Sequence, residues 1–184
     1  MLNDLFSLEG RIAVVTGGSR GIGKMIARGF LAQGAARVYI TARKAQACEA
    51  TAQELTAEFA GECIALPIDI STVEGAEKLA AAIKAREPKI DILVNNAGAA
   101  WAADFDEFPE SGWDKVVDLN LKAPFFLTKA LAAPLRAAAT ADRPAKVINI
   151  ASIDGIFVNP LETYPYAASK AGLIHLTRRM AVRL

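Results

Sequence analysis

Short runs of β-branched and other apolar residues alternate along the chain with longer, Ala-rich stretches. Five runs, at residues 11–16, 37–41, 62–66, 91–94 and 146–150, are apolar at nearly every position. That is the pattern of strands covered by helices on both faces of a parallel sheet. With the helical stretches between them the order reads βαβαβαβαβα, a doubly wound α/β domain. Right-handed crossovers then place the first strand at the centre, the second and third to one side of it, and the fourth and fifth to the other.

Boundary signals agree with this alternation. Ser71-Thr-Val-Glu74 has the spacing of a capping box, in which the Ser hydroxyl accepts from the Glu74 amide and the carboxylate returns to the Ser71 amide. It opens a helix that runs to about Arg86 and is stopped by Pro88. Gly34 and Gly61 stand where the first two helices should end, as C-terminal caps do. Residues 112–139 are helical in pattern, with kinks or breaks expected at Pro124 and Pro134. From 167 to 184 apolar residues recur at helical spacing, at Ala171, Ile174 and Met180. The chain stops there without a Gly cap or polar tail, as one cut inside a helix or just beyond it would. With no internal repeat and no linker, residues 1–184 read as one domain.

Of the 184 residues 53% are hydrophobic and 22% charged, which excludes a disordered or fibrous chain. A formal charge of +1, from 21 basic and 20 acidic residues, provides no uniform field for a nucleic acid or an anionic membrane. Mean hydropathy is +0.25. Yet the strongest apolar runs, 12–16 and 92–94, are of strand length, far short of the roughly 20 residues of a spanning helix. Met1-Leu2-Asn3-Asp4 lacks the basic start and long apolar run of a secretory signal. Cys48 and Cys63 have no CxxC spacing and no neighbouring His, the usage of reduced thiols rather than a disulfide or metal site. The expectation is a cytoplasmic protein without a metal and without nucleic-acid or membrane partners.

The chemistry begins after the first strand, at Thr16-Gly-Gly-Ser-Arg-Gly-Ile-Gly23. Glycines at 17, 21 and 23 permit a tight turn, close approach of backbone to a pyrophosphate, and close helix–strand contact at a helix N-terminus. The spacing is G-x-x-x-G-x-G, which departs from the general G-x-G-x-x-G dinucleotide fingerprint, and a turn without a ligand is the alternative. About 20 residues on, where a carboxylate would bind the ribose hydroxyls of NAD, the chain has Thr41-Ala42-Arg43. Arg43, with Arg20 in the glycine loop, favours a 2′-phosphate and hence NADP; two ordinary surface charges are the alternative. Asn95-Asn-Ala-Gly98 ends the fourth strand at the same sheet edge, Ser152 follows the fifth, and Tyr166 and Lys170 are four apart on one helical face. Taken singly, a Tyr–Lys pair could be surface packing and Ser152 a turn cap.

In this order, T-G-x-x-x-G-I-G, N-N-A-G, a Ser after the fifth strand and Y-x-x-x-K resemble the short-chain dehydrogenase/reductase family from about Leu8 to the end of the chain. Within it, the Arg pair looks most like the NADPH-dependent 3-oxoacyl-acyl-carrier-protein reductases, the rhamnolipid-pathway type included. The resemblance implies a Rossmann-like, three-layer fold. It also implies Tyr166 as general acid/base, Lys170 as its electrostatic partner and ribose anchor, Ser152 as the carbonyl-orienting hydroxyl, and Asn120 as holder of a water in a proton relay. An ammonium one turn away favours the phenolate of a Tyr, whose free pKa is about 10. For the cofactor, NADP(H), the resemblance implies Gly17, Ser19, Arg20, Gly21, Ile22, Gly23, Arg43, the pair Asp69-Ile70 at the adenine, Asn96, Ala97, Gly98, and Tyr166 with Lys170.

The implied reaction reduces a carbonyl, as in a 3-oxoacyl thioester on coenzyme A or acyl carrier protein; a sugar or small ketone is the alternative. The family also implies a homo-oligomer, dimer or tetramer, built on the long helices after the fourth and fifth strands. Its pattern continues through two further strands and a substrate-covering segment. A sheet without its last two strands is therefore expected, and with it the alternative of a non-catalytic dinucleotide-binding fragment. His175, the only histidine, has no Ser/Asp or Cys arrangement around it and reads as structural. Trp101 and Phe157 stand on loops expected at the pocket mouth.

Overall fold

The computed structural model describes residues 5–184; Met1-Leu2-Asn3-Asp4, read above against a secretory signal, lies outside the described residues. Five parallel strands form one sheet in the order β3-β2-β1-β4-β5, as predicted. They are β1 (Ile12–Thr16), β2 (Arg37–Thr41), β3 (Glu62–Leu66), β4 (Ile92–Asn95) and β5 (Lys146–Asn149). Neighbouring residues of each strand point to opposite faces. On one face Ala13, Val15 and Ile40 meet Ala27 and Leu31 of α1 (Gly21–Ala32) and Cys48 and Leu55 of α2 (Ala45–Glu58). On the other, Val14, Tyr39 and Leu93 meet Leu79 and Ile83 of α3 (Val73–Lys84), Leu127 of α5 (Ala123–Ala130) and Leu135 of α6 (Ala132–Ala138). This is the three-layer α/β/α arrangement. The remaining helices, α4 (Glu110–Val117) and α7 (Tyr164–Ala181), pack on each other. No helix among the described residues is long and apolar enough to cross a membrane.

The helical stretch after β4 breaks as its prolines require. A π turn at Asp118–Lys122 separates α4 from α5, with Pro124 in the first turn of α5, and Leu131, at φ −98° and ψ 5°, separates α5 from α6 three residues before Pro134. Gly34 caps α1 as expected: at φ +90° it donates to the Leu31 carbonyl at 3.0 Å.

Several expectations are corrected. The cap of α3 is Thr72, whose hydroxyl accepts from the Gly75 amide at 3.0 Å, because the Asp69 carboxylate has already taken the Ser71 amide at 2.9 Å. Gly61 is not a left-handed cap; a Cβ there would run into the Ala35 carbonyl, so it is a close-approach glycine. The last helix starts at Tyr164, and its buried residues are Pro165, Ser169, Lys170 and Leu173, whereas Ala171 is exposed and Ile174 and Met180 are half-buried. Strands apolar and covered nearly throughout describe β1, β2 and β4 but not β3 and β5, each of which has a strand neighbour on one side only; β3 leaves Glu62 exposed and β5 leaves Ile148 41% exposed.

Candidate functional site

Between β1 and β4 the strand order reverses direction, and a cleft of about 730 Å³ opens at the carboxyl ends of the strands, where ligands of doubly wound sheets bind. Gly17, Ser19, Arg20, Gly21, Ile22, Gly23, Arg43, Asp69, Ile70, Asn96, Ala97 and Gly98 all line it. The glycine loop owes its shape to specific neighbours. Gly17 is at φ +67° and Gly21 at φ +53°, a region costly for residues with a Cβ. A Cβ on Gly23 would strike the Gly17 carbonyl and the Asn96 side chain. Asn96 Nδ2 donates to the Thr16 carbonyl at 2.9 Å, and the buried Thr16 hydroxyl accepts from the Asn96 and Ala97 amides, each at 2.9 Å. From behind, Thr51 Oγ1 donates to the Ser19 carbonyl at 2.9 Å. The loop leads into α1, whose first turn has neither an acidic residue nor a side-chain cap, so its amides and positive dipole end are free for an anion. These residues fit a dinucleotide's pyrophosphate.

Arg20 and Arg43 line the same cleft, and neither forms an ion pair among the described residues. A third cation, Lys44, lies beside them. It caps the start of α2, whose first turn is again without a carboxylate. Three unneutralised cations on one wall suit a dianionic phosphate.

At the cleft's far end Gly98 is the junction. The position of its absent Cβ is 3.2 Å from Asn120 Oδ1 and 3.9 Å from Lys170 Nζ. Lys170, 4% exposed, donates to the Ile150 carbonyl at 2.6 Å, and its Nζ is 5.6 Å from the centre of the Tyr166 ring. Burial pushes the Lys170 ammonium below the usual lysine range. Asn120, 1% exposed and within the π turn, accepts from the Ala99 amide at 2.8 Å and donates to the Ala99 carbonyl at 2.9 Å and to Ser169 Oγ at 3.2 Å. Ser152 is a turn cap: its Oγ accepts from the Asp154 amide at 3.2 Å, an acceptor use that leaves the hydroxyl proton free to donate. The short turn it starts packs at Gly155 on the backbone of Lys170 and Ala171.

Asn120, Ser152, Tyr166 and Lys170 are not among the residues lining the cleft, which Asn120 and Lys170 adjoin through Gly98, and three further sequence candidates stand apart from it as well. His175 is on the exposed side of α7. Trp101 is held over Gly112 of α4, with Lys115 Nζ 4.8 Å from its ring centre. Phe157 is exposed on its loop. Sequence reasoning missed Lys44, Thr16 and Gly18. The Lys follows Arg43 directly, Thr16 opens the glycine motif, and a Cβ on Gly18 would be 2.6 Å from Ile40 Cβ, a contact only the folded neighbour β2 makes visible.

Residues 11–184 match the family described as short chain dehydrogenase. The chain is 49% identical over 183 residues to the rhamnolipids biosynthesis 3-oxoacyl-[acyl-carrier-protein] reductase of Pseudomonas aeruginosa, covering 100% of this chain and 70% of that protein. It is 36% identical over 181 residues to the 2-dehydro-3-deoxy-D-gluconate 5-dehydrogenase of Escherichia coli, covering 98% and 68%. Among solved structures, the Pseudomonas aeruginosa RhlG/NADP active-site complex superposes with a TM-score of 0.92 at 49% identity, over 97% of this chain and 69% of that one. With its parallel sheet, glycine loop and ordered motifs, the chain belongs to the short-chain dehydrogenase family of oxidoreductases.

Proposed function

We propose that the chain is an NADPH-dependent carbonyl reductase acting on a 3-oxoacyl thioester, with Tyr166 as proton donor. The observation that carries this is the buried Lys170 ammonium, set between the Ile150 carbonyl, Gly98 and the Tyr166 ring at the end of an NADP-sized cleft. Gly17 to Gly23, Asn96, Ala97 and Gly98 hold the cofactor's pyrophosphate and nicotinamide side, Asp69 and Ile70 its adenine, and Arg20 and Arg43 its 2′-phosphate. Bound NADPH supplies the hydride that reduces the carbonyl carbon. Ser152 hydrogen-bonds the substrate oxygen through its free hydroxyl and keeps its own proton, and Tyr166 transfers to that oxygen the single proton the reduction takes up. The Lys170 ammonium stabilises the phenolate left behind and, when cofactor is bound, anchors the ribose. Asn120 has its side-chain amide committed to Ala99 and Ser169, so it serves the water relay through its backbone in the π turn.

An aromatic cluster around Tyr164, at the start of α7, supports the acyl reading. Phe105 and Phe108 meet Tyr164 edge-on, at 5.5 and 5.8 Å between ring centres, and the Ala103 amide joins their loop to the Glu162 carbonyl at 3.4 Å. The rings of such a cluster suit an alkyl chain better than a polyol. The partner is then an acyl thioester, on acyl carrier protein or coenzyme A, and the protein a cytoplasmic homo-oligomer. Following NADPH absorbance at 340 nm with acetoacetyl-CoA and with a keto-gluconate tests the reading. Faster turnover of the thioester is expected; preference for the keto sugar would reassign the substrate, and tight NADPH binding without turnover of any ketone would leave a binding module.

A further inference from the structure

A polar chain, buried at Asn95 and Thr128 and half-buried at Asn149 and Thr177, crosses the two strands beneath the site and ends on the helix that carries Tyr166. Thr177 Oγ1 donates to the Leu173 carbonyl of its own helix at 2.7 Å and accepts from Asn149 Nδ2 at 2.8 Å. Asn149 Oδ1 accepts from Asn95 Nδ2 at 2.8 Å, and the same Asn95 nitrogen donates to Thr128 Oγ1 of α5 at 3.3 Å. The donors and acceptors fall in one consistent direction. Turning the Asn149 amide over would set its NH₂ against that of Asn95 and its oxygen against a hydroxyl already donating to Leu173.

Lys170 and Thr177 are seven residues apart, two helical turns and so on one face of α7. Both reach the end of β5, Lys170 to the carbonyl of Ile150 and Thr177 to the side chain of Asn149, the residue before it. One such attachment leaves a helix free to roll about it. Near the Lys170 end Ser169 adds its bond from Asn120, and Thr177 supplies a second attachment point, roughly 10 Å further along the axis at 1.5 Å per residue, that fixes both roll and translation. We infer that Asn149 and Thr177 are positioning residues for the reaction: their hydrogen bond holds α7 in the register that sets Lys170 against Ile150 and aims Tyr166 at the cleft. This rests on the reading that Tyr166 and Lys170 serve catalysis.

Thr177→Val removes the hydroxyl at nearly constant volume, and Thr177→Ser restores it. Thr56→Val is the control, because it deletes a hydroxyl that bridges the amide and carbonyl of Cys63 at the opposite edge of the sheet. In steady-state kinetics with NADPH and acetoacetyl-CoA, Thr177→Val should lower kcat roughly tenfold with KM and NADPH affinity within about twofold. Thr177→Ser should recover most of it, and Thr56→Val should lower Tm without changing kcat. Hydrogen exchange needs no turnover. Protection of the α7 amides from Ala167 to Leu173 should fall in Thr177→Val, return in Thr177→Ser and stay unchanged in Thr56→Val. Unaltered α7 protection in Thr177→Val, or a kcat loss matched by Thr56→Val, overturns the inference. Absence of turnover in the unmodified protein alongside the expected exchange pattern would count against the catalytic reading while supporting the anchoring.

Discussion

In the reading proposed, Arg43 is the single side chain that decides most at the cleft wall. The position at the end of β2 that takes a carboxylate in NAD sites here carries a guanidinium with no acidic partner among the described residues, flanked by Arg20 and Lys44. Hydrogen bonds to charged groups contribute about 1.5–3 kcal/mol, so Arg43→Asp should raise the Kd for NADPH by roughly ten- to a hundredfold. NADH lacks the phosphate and should change far less. Fluorescence titration of the two nucleotides checks this, and equal losses for both would detach Arg43 from the 2′-phosphate. The preference should also shrink as salt rises, because these side chains are exposed and screened.

Elements were legible wherever the signal was apolar and periodic. The strand runs survive within a residue at each end, and their order follows from right-handed crossovers in a doubly wound sheet. Polar signals were harder. Ser71 and Thr72 are adjacent hydroxyl residues that compete to cap α3, and the choice depended on where the Asp69 carboxylate points. The inward face of α7 buries Ser169 and Lys170 and half-buries Thr177, which a hydrophobic stripe does not reveal; the helix turns polar groups inward because they have partners. Every residue expected at the cofactor's phosphates, adenine and Asn-Ala-Gly turn does line one cleft, because motif glycines carry geometry as well as identity.

At the α2–β3 edge the same burial makes an alkaline prediction. Burial pushes the Cys63 thiol from 9.0 up to about 12 and raises that of Cys48. The folded state therefore keeps protons that the unfolded state releases. Stability from these thiols is complete below pH 9 and is lost as pH rises toward the folded value. Tyr39, raised by burial and by its bond to Glu87, adds to the loss at higher pH. Lys170, lowered by burial, acts in the opposite sense: its burial cost is relieved as pH rises toward 10.5. Urea midpoints should fall between pH 9 and 11, and Cys63→Ala should flatten that fall; an unchanged slope in the variant would contradict it.

For the whole molecule, the sheet separates tasks between its two ends and its two sides. The buried strands β1 and β4 meet at the reversal point beside the cleft, while α7 carries Lys170 to Gly98 at the cleft's end, next to the Tyr166 ring. The candidate residues thus come from segments some 150 residues apart in sequence, joined by Asn96 to the glycine loop and by Asn120 to Ala99 and Ser169. The most direct test compares the unmodified protein with Tyr166→Phe in NADPH oxidation by acetoacetyl-CoA, with NADPH affinity measured in parallel. A lost proton donor should lower turnover by roughly 10²- to 10⁴-fold while the Kd for NADPH stays within about twofold. Equal turnover in the two proteins would contradict Tyr166 as the acid.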